Sequence, residues 1–130
     1  MAGWTLKTSA SFLLAGMGLM FGVDASAHHS SSAYDRNKQL IVTGTVQEFR
    51  WANPHVWLYM QVPDGKGGSD KWSLEGGSVS VLSRNGWRAA SLKPGDHVRV
   101  MVQPNKDGSH GGGFVTVTKD DGQVLKIGVL

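Results

Sequence analysis

His55-Val56-Trp57-Leu58-Tyr59-Met60-Gln61-Val62 is the stretch whose reading decides the fold. Val56, Leu58, Met60 and Val62 alternate with His55, Trp57, Tyr59 and Gln61, a period of two that puts each set on its own face of an extended strand. The turn residues Pro63-Asp64-Gly65-Lys66-Gly67-Gly68 follow it. Residues 70–75 then form a short strand with Trp72 and Leu74 on one face, which directs Trp72 into the core. Upstream, Leu40, Val42, Gly44 and Val46 alternate through residues 40–49, and the glycine predicts a bend or a bulge. Ala52-Asn53-Pro54 separates these two strands.

Downstream of Gly76-Gly77 the pattern changes. Ser78 can cap a short helix over residues 78–85, and Gly86 has the residue type expected just past a helix end. The turn Leu92-Lys93-Pro94-Gly95-Asp96 leads into a strand carrying Val98, Val100 and Val102. Residues 103–113 are glycine-rich and read as a loop. Residues 114–118 and 124–127 pair through Asp120-Asp121-Gly122 as a hairpin. The order is three strands, one short helix, and two or three further strands. The expected fold is therefore mainly β: a small five- to six-stranded Greek-key barrel of the oligonucleotide/oligosaccharide-binding (OB-like) type, with its helix after the third strand. A generic β-sandwich is the alternative, but it does not predict that helix. Val56, Leu58, Met60, Val98, Val100 and Val102 are the expected core.

Residues 1–27 have a different character. Lys7 precedes an apolar run over residues 12–23 (FLLAGMGLMFGV), and Ala25-Ser26-Ala27 has the small-x-small form that signal peptidase cleaves after. The run is shorter than the ~20 apolar residues needed to span a bilayer, so no membrane anchor is expected after cleavage. Three segments follow: a signal peptide at 1–27, a polar N-terminal arm at 28–38 (HHSSSAYDRNK) and a barrel domain at 39–130. The address is the periplasm or the outside of a bacterial cell. The chain has no cysteine, which excludes a disulfide framework, thiol catalysis and thiolate-bound metal. Its net charge of +3 comes from scattered cations with no long basic run, so nucleic acid is not an expected partner. Nucleophile-elbow, phosphate-loop, dinucleotide and HExxH signatures are all lacking from the sequence.

Cleavage after Ala27 makes His28 the mature N-terminus, with His29 next. An N-terminal histidine supplies two nitrogens, its α-amine and its ring. A third from a distant histidine completes a histidine brace, and a nitrogen-rich site of few ligands favours Cu(II). His55, beside a rigid Asn-Pro, is the leading third ligand; His97, at the start of the fourth strand, and His110, in the glycine-rich segment, are alternatives. Glu75, ahead of Gly76-Gly77, either binds metal, orients a ligand histidine, or acts as an acidic cap on the following helix. Alternatively, paired histidines after a cleavage site form only a polar mature terminus. Trp51, Trp57 and Tyr59 are candidates for an exposed aromatic platform.

Several of these segments together resemble the small exported bacterial proteins of domain-of-unknown-function family 6152. They are Ala27-His28-His29-Ser30, Thr43-Gly44-Thr45-Val46, Phe49-Arg50-Trp51-Ala52-Asn53-Pro54-His55-Val56-Trp57, Trp72-Ser73-Leu74-Glu75-Gly76-Gly77-Ser78, Gly86-Trp87, Ser91-Leu92-Lys93-Pro94-Gly95-Asp96 and Lys106-Asp107-Gly108-Ser109. The Arg-Trp-x-Asn-Pro-His block is the most specific of them. The resemblance covers nearly all of the chain after the leader and implies a His-His pair at the mature terminus, but no activity. Val79 departs from it, standing where proline is expected.

The leading functional expectation is a periplasmic metal-binding protein, with copper as the metal, for carriage or sequestration through His28, His29, His55 and Glu75. Its partners would be the metal ion or a periplasmic protein. The alternative is a binding module for a glycan, peptide or protein on Trp51, Trp57 and Tyr59. A copper oxidase is third, since so small a chain leaves little surface for a substrate cleft. N-terminal sequencing of exported protein should begin at His28; a chain that retains Met1 through Ala27 after export would remove the chelating amine and the brace with it.

Overall fold

The computed structural model describes Met1 and residues 33–128. The rest of the leader, and His28 and His29, lie outside the described residues. Six strands and one helix run in the order β1 (Leu40–Arg50), β2 (Trp57–Pro63), β3 (Ser69–Glu75), α1 (Val79–Arg84), β4 (His97–Pro104), β5 (Gly111–Lys119) and β6 (Val124–Lys126). The strands lie in the order β3-β2-β1-β4-β5-β6, and a further β3–β5 pairing closes the first five into a barrel with β6 added beyond β5. All pairs are antiparallel except β3–β5, which is parallel. This is the OB-like arrangement expected from the strand pattern.

The period-two reading places the core correctly. Val56, Leu58, Met60, Val98, Val100 and Val102 are all buried, joined by Val42, Val46, Leu74, Leu82, Trp87, Phe114 and Val117. Burial of one such aliphatic side chain is worth roughly 1.5–3 kcal/mol, so this interior holds a disulfide-free domain together. Trp87 is wholly buried, and its indole Nε1 donates to Lys126 O at 2.9 Å. Ser78 caps α1 by accepting from Val81 N at 3.3 Å, and Gly86 at φ +88° ends it, as read from the sequence. Asn53, whose peptide bond to Pro54 is cis, accepts from Val79 N through Oδ1 at 3.1 Å and ties the β1–β2 connection to α1.

Three local expectations are corrected. Residues 103–113 are not a single loop: β4 runs to Pro104 and β5 begins at Gly111, so the three glycines are strand. Gly111 and Gly112 are required because two backbones meet there, where a Cβ on Gly112 (φ +153°) would sit 2.1 Å from Gln103 O and one on Gly111 would sit 2.7 Å from Ser73 O. Gly44 marks close approach rather than the bulge. Its Cβ would lie 2.3 Å from Gln61 O, whereas the register shift of β1 falls between Val46 and Glu48. His55 precedes β2 by two residues instead of opening it, because Val56 spends its backbone groups on Gly77 O and Gly76 N. Trp72 packs against the core as expected but is only partly buried, and its ring also stacks on His110 at 5.2 Å between centroids.

Gly112→Ala should therefore cost about 3 kcal/mol, the scale of overpacking combined with backbone strain. Gly65→Ala, in an open turn at φ +75° with nothing within 4 Å, should cost only about 1 kcal/mol. Denaturant midpoints of the two variants test this, and equal small losses would show that the β3–β5 closure tolerates separation.

Candidate functional site

The β3–β5 closure brings the ends of three segments together. Glu75, the last residue of β3, is in register with Gly113 of β5. A Cβ on Gly113 would meet the Tyr34 ring at 3.2 Å, so the glycine leaves room for Tyr34 to lie over this junction. Tyr34 is held there by a bridge to Asn105, and Asp35 N donates to Pro104 O at 2.8 Å, while Lys106 N donates to Ala33 O at 2.9 Å. The end of the N-terminal arm is thus docked on the barrel at the site.

Glu75 is 6% exposed, the one charged residue that is buried among the described residues. A buried carboxylate must be paired or hydrogen-bonded to be tolerated. Its Oε1 pairs with His55 Nδ1, and its Oε2 accepts from the Tyr34 hydroxyl. Both oxygens are used as acceptors, the role of an ionised carboxylate. His55 is about one-third exposed (35% of its side chain). Pairing of Nδ1 with Glu75 orients the ring and leaves Nε2 as the nitrogen open to a metal. His55 Nε2 has no hydrogen-bond partner among the described residues. The acidic-cap reading of Glu75 is corrected: the first turn of α1 has no acidic residue, and Ser78 is the cap.

Of the other sequence candidates, Trp57 adjoins the group, as the register partner of Glu75 across the β2–β3 pairing. Trp57 and Tyr59 are neighbours on the outer face of β2, with ring centroids 6.2 Å apart and planes within 16°. Arg50 lies 4.9 Å over the Tyr59 ring and donates to its hydroxyl at 3.1 Å; Lys71 Nζ is 5.7 Å from the same ring centre. Trp51 is set apart from them and packs on Phe49 at 5.7 Å, against the core. His97 is exposed at the start of β4, paired in register with Thr45. His110 stacks on Trp72, with Nδ1 3.8 Å from Asp70 Oδ2. Among the described residues no group of three or more His, Asp or Glu side chains could hold a metal ion. His55 and Glu75 come together; His28 and His29, the remaining proposed donors, lie outside the described residues.

A cavity of about 730 Å³ adjoins the group, with His55, Glu75 and Tyr34 in its wall together with Phe114, Val115 and Ile127. Tyr34 was not legible as a site residue. Its signal was weak, one aromatic in an otherwise polar arm.

A model described as a family of unknown function (DUF6152) matches residues 18–114, more than half of the chain. The chain belongs to this family. The DUF6152 match spans His28, His29, Tyr34, His55 and Glu75 and ends at Phe114, so it takes in the carboxylate group and one wall of the cavity. No curated protein and no solved structure matches the chain.

Tyr34→Phe should lower stability by about 1–2 kcal/mol, the cost of leaving a buried carboxylate oxygen short of a hydrogen bond, and should shift the ring ¹⁵N signals of His55. Unchanged stability together with unchanged His55 signals would show that the Tyr34–Glu75–His55 chain is not held in solution.

Proposed function

We propose that this is an exported, periplasmic copper-binding protein that carries or sequesters the metal. His28 would supply its α-amine and ring, His55 its Nε2, and His29, next in sequence to His28, would be a further nitrogen donor. Glu75 acts as the carboxylate that orients His55, in the manner of the carboxylate–histidine pairs that support metal ligands. The supporting observation is the fixed His55 ring, pinned through Nδ1 with Nε2 unpartnered among the described residues. Chain length supports it too. His28 is six residues from Tyr34, a reach of ~20 Å, and Tyr34 is anchored on Glu75 itself.

The test uses exported protein that begins at His28, titrated with Cu(II) and followed by calorimetry and electron paramagnetic resonance. One copper per chain with nitrogen hyperfine structure is expected. Glu75→Gln should weaken it ~10–100-fold, His55→Ala at least as much, and His97→Ala and His110→Ala should leave it unchanged. Because imidazole and amine must be deprotonated to bind, affinity should fall as pH drops below ~6.5. One extra residue before His28 should abolish tight binding. Stoichiometric copper retained unchanged in both His28→Ala and His55→Ala would overturn the reading.

The second reading, a binding module for a glycan, peptide or protein partner, is favoured by a separate observation: the near-parallel Trp57 and Tyr59 rings with Arg50 and Lys71 beside them. A glycan array probed with wild type and Trp57→Ala distinguishes it, since loss of a bound glycan in that variant would move the function to this face.

A further inference from the structure

We infer that the cavity beside His55 is a binding site for a small amphipathic organic anion. This goes beyond the copper reading and does not rest on it. The cavity, about 730 Å³, has the size of a small-molecule pocket. Its course follows β5. At the Gly113 end it is bounded by Tyr34, His55 and Glu75, and at the Thr116 end by Lys126, the register partner of Thr116. Between these ends Phe114, Val115 and Ile127 present an apolar wall. An apolar body fits this middle section, where water gains little from the wall.

Charge selects the ligand class. Arg36 and Lys126 both line the cavity, both are exposed, and neither has an acidic partner among the described residues. The one carboxylate in the wall, Glu75, is 6% exposed and already engaged by His55 and Tyr34. Two cations without an acidic partner outnumber the single carboxylate, which is buried and already engaged, so the exposed charge of the wall is positive and favours an anionic head group. Exposed cations contribute modestly each, so the apolar wall supplies most of the affinity and the cations supply the preference for an anion.

The test uses the mature chain in metal-free buffer with a chelator, so that its outcome is independent of copper. The probes are 1-anilinonaphthalene-8-sulfonate and its uncharged counterpart N-phenyl-1-naphthylamine. The sulfonate should bind one per chain with a blue-shifted emission, and at least about fivefold more tightly than the neutral probe. Arg36→Gln with Lys126→Gln should erase that difference while leaving the neutral probe's affinity unchanged; both residues are exposed, so the fold should survive. Val115→Trp should displace both probes. Absence of sulfonate binding, equal binding of the two probes, or a preference that persists in the double variant would overturn the inference. Each of these results leaves the copper titration free to succeed or fail separately.

Discussion

The parallel pairing of β3 with β5 is the constraint on which the rest of the structure depends. It converts an open meander into a barrel, and it does so across three consecutive glycines, Gly111 to Gly113, in register with Ser73 to Glu75. Parallel strands demand a long connection, and α1 with the following β4 supplies it. Side chains at Gly111 or Gly112 would meet backbone oxygens of the neighbouring strands. The closure that buries Val100 and Val117 is therefore the same feature that makes a gap over Gly113, and Tyr34 fills that gap.

From this follows the placement of a carboxylate where a barrel of this size would ordinarily hold an aliphatic residue. Glu75 ends β3 at the barrel rim, nearly sealed from water. Removing a carboxylate from water is costly unless hydrogen bonds replace the lost hydration. The replacements come from two segments far apart in the chain, His55 after the cis Asn53–Pro54 peptide and Tyr34 from the arm. A buried acid whose partners are a histidine ring and a tyrosine hydroxyl contributes geometry more than stability. It holds an imidazole still, with one nitrogen engaged and the other available, and that is what a metal ligand or a proton carrier requires.

The aromatic surface of β2 adjoins the His55 group, since Trp57 is the register partner of Glu75, and its outward placement arises from the alternation of that strand. Trp57 and Tyr59 point outward because Leu58 and Met60 point inward. Ring stacking and the cations Arg50 and Lys71 then order them on the surface. Trp51, in sequence equally eligible, is turned toward Phe49 and the core because it lies past the end of β1, where the strand's alternation no longer applies.

The barrel class, the short helix with its Ser78 cap, the inward set from Val56 to Val102 and the membership of DUF6152 were all legible in the chain itself. Each depends on local periodicity, on cap and turn chemistry, or on motif blocks contiguous in sequence. His55 and Glu75 were legible as residue types capable of site chemistry, but not as a pair. Tyr34 was not visible at all, and Gly111 to Gly113 read as a loop, because glycine has the same local signature in a loop as in a crowded strand pairing. Those outcomes turn on which backbones meet across long sequence separations. Only the closed barrel, by setting β3 beside β5 and the arm over both, decided that a buried carboxylate, an imidazole and a phenol would share one corner.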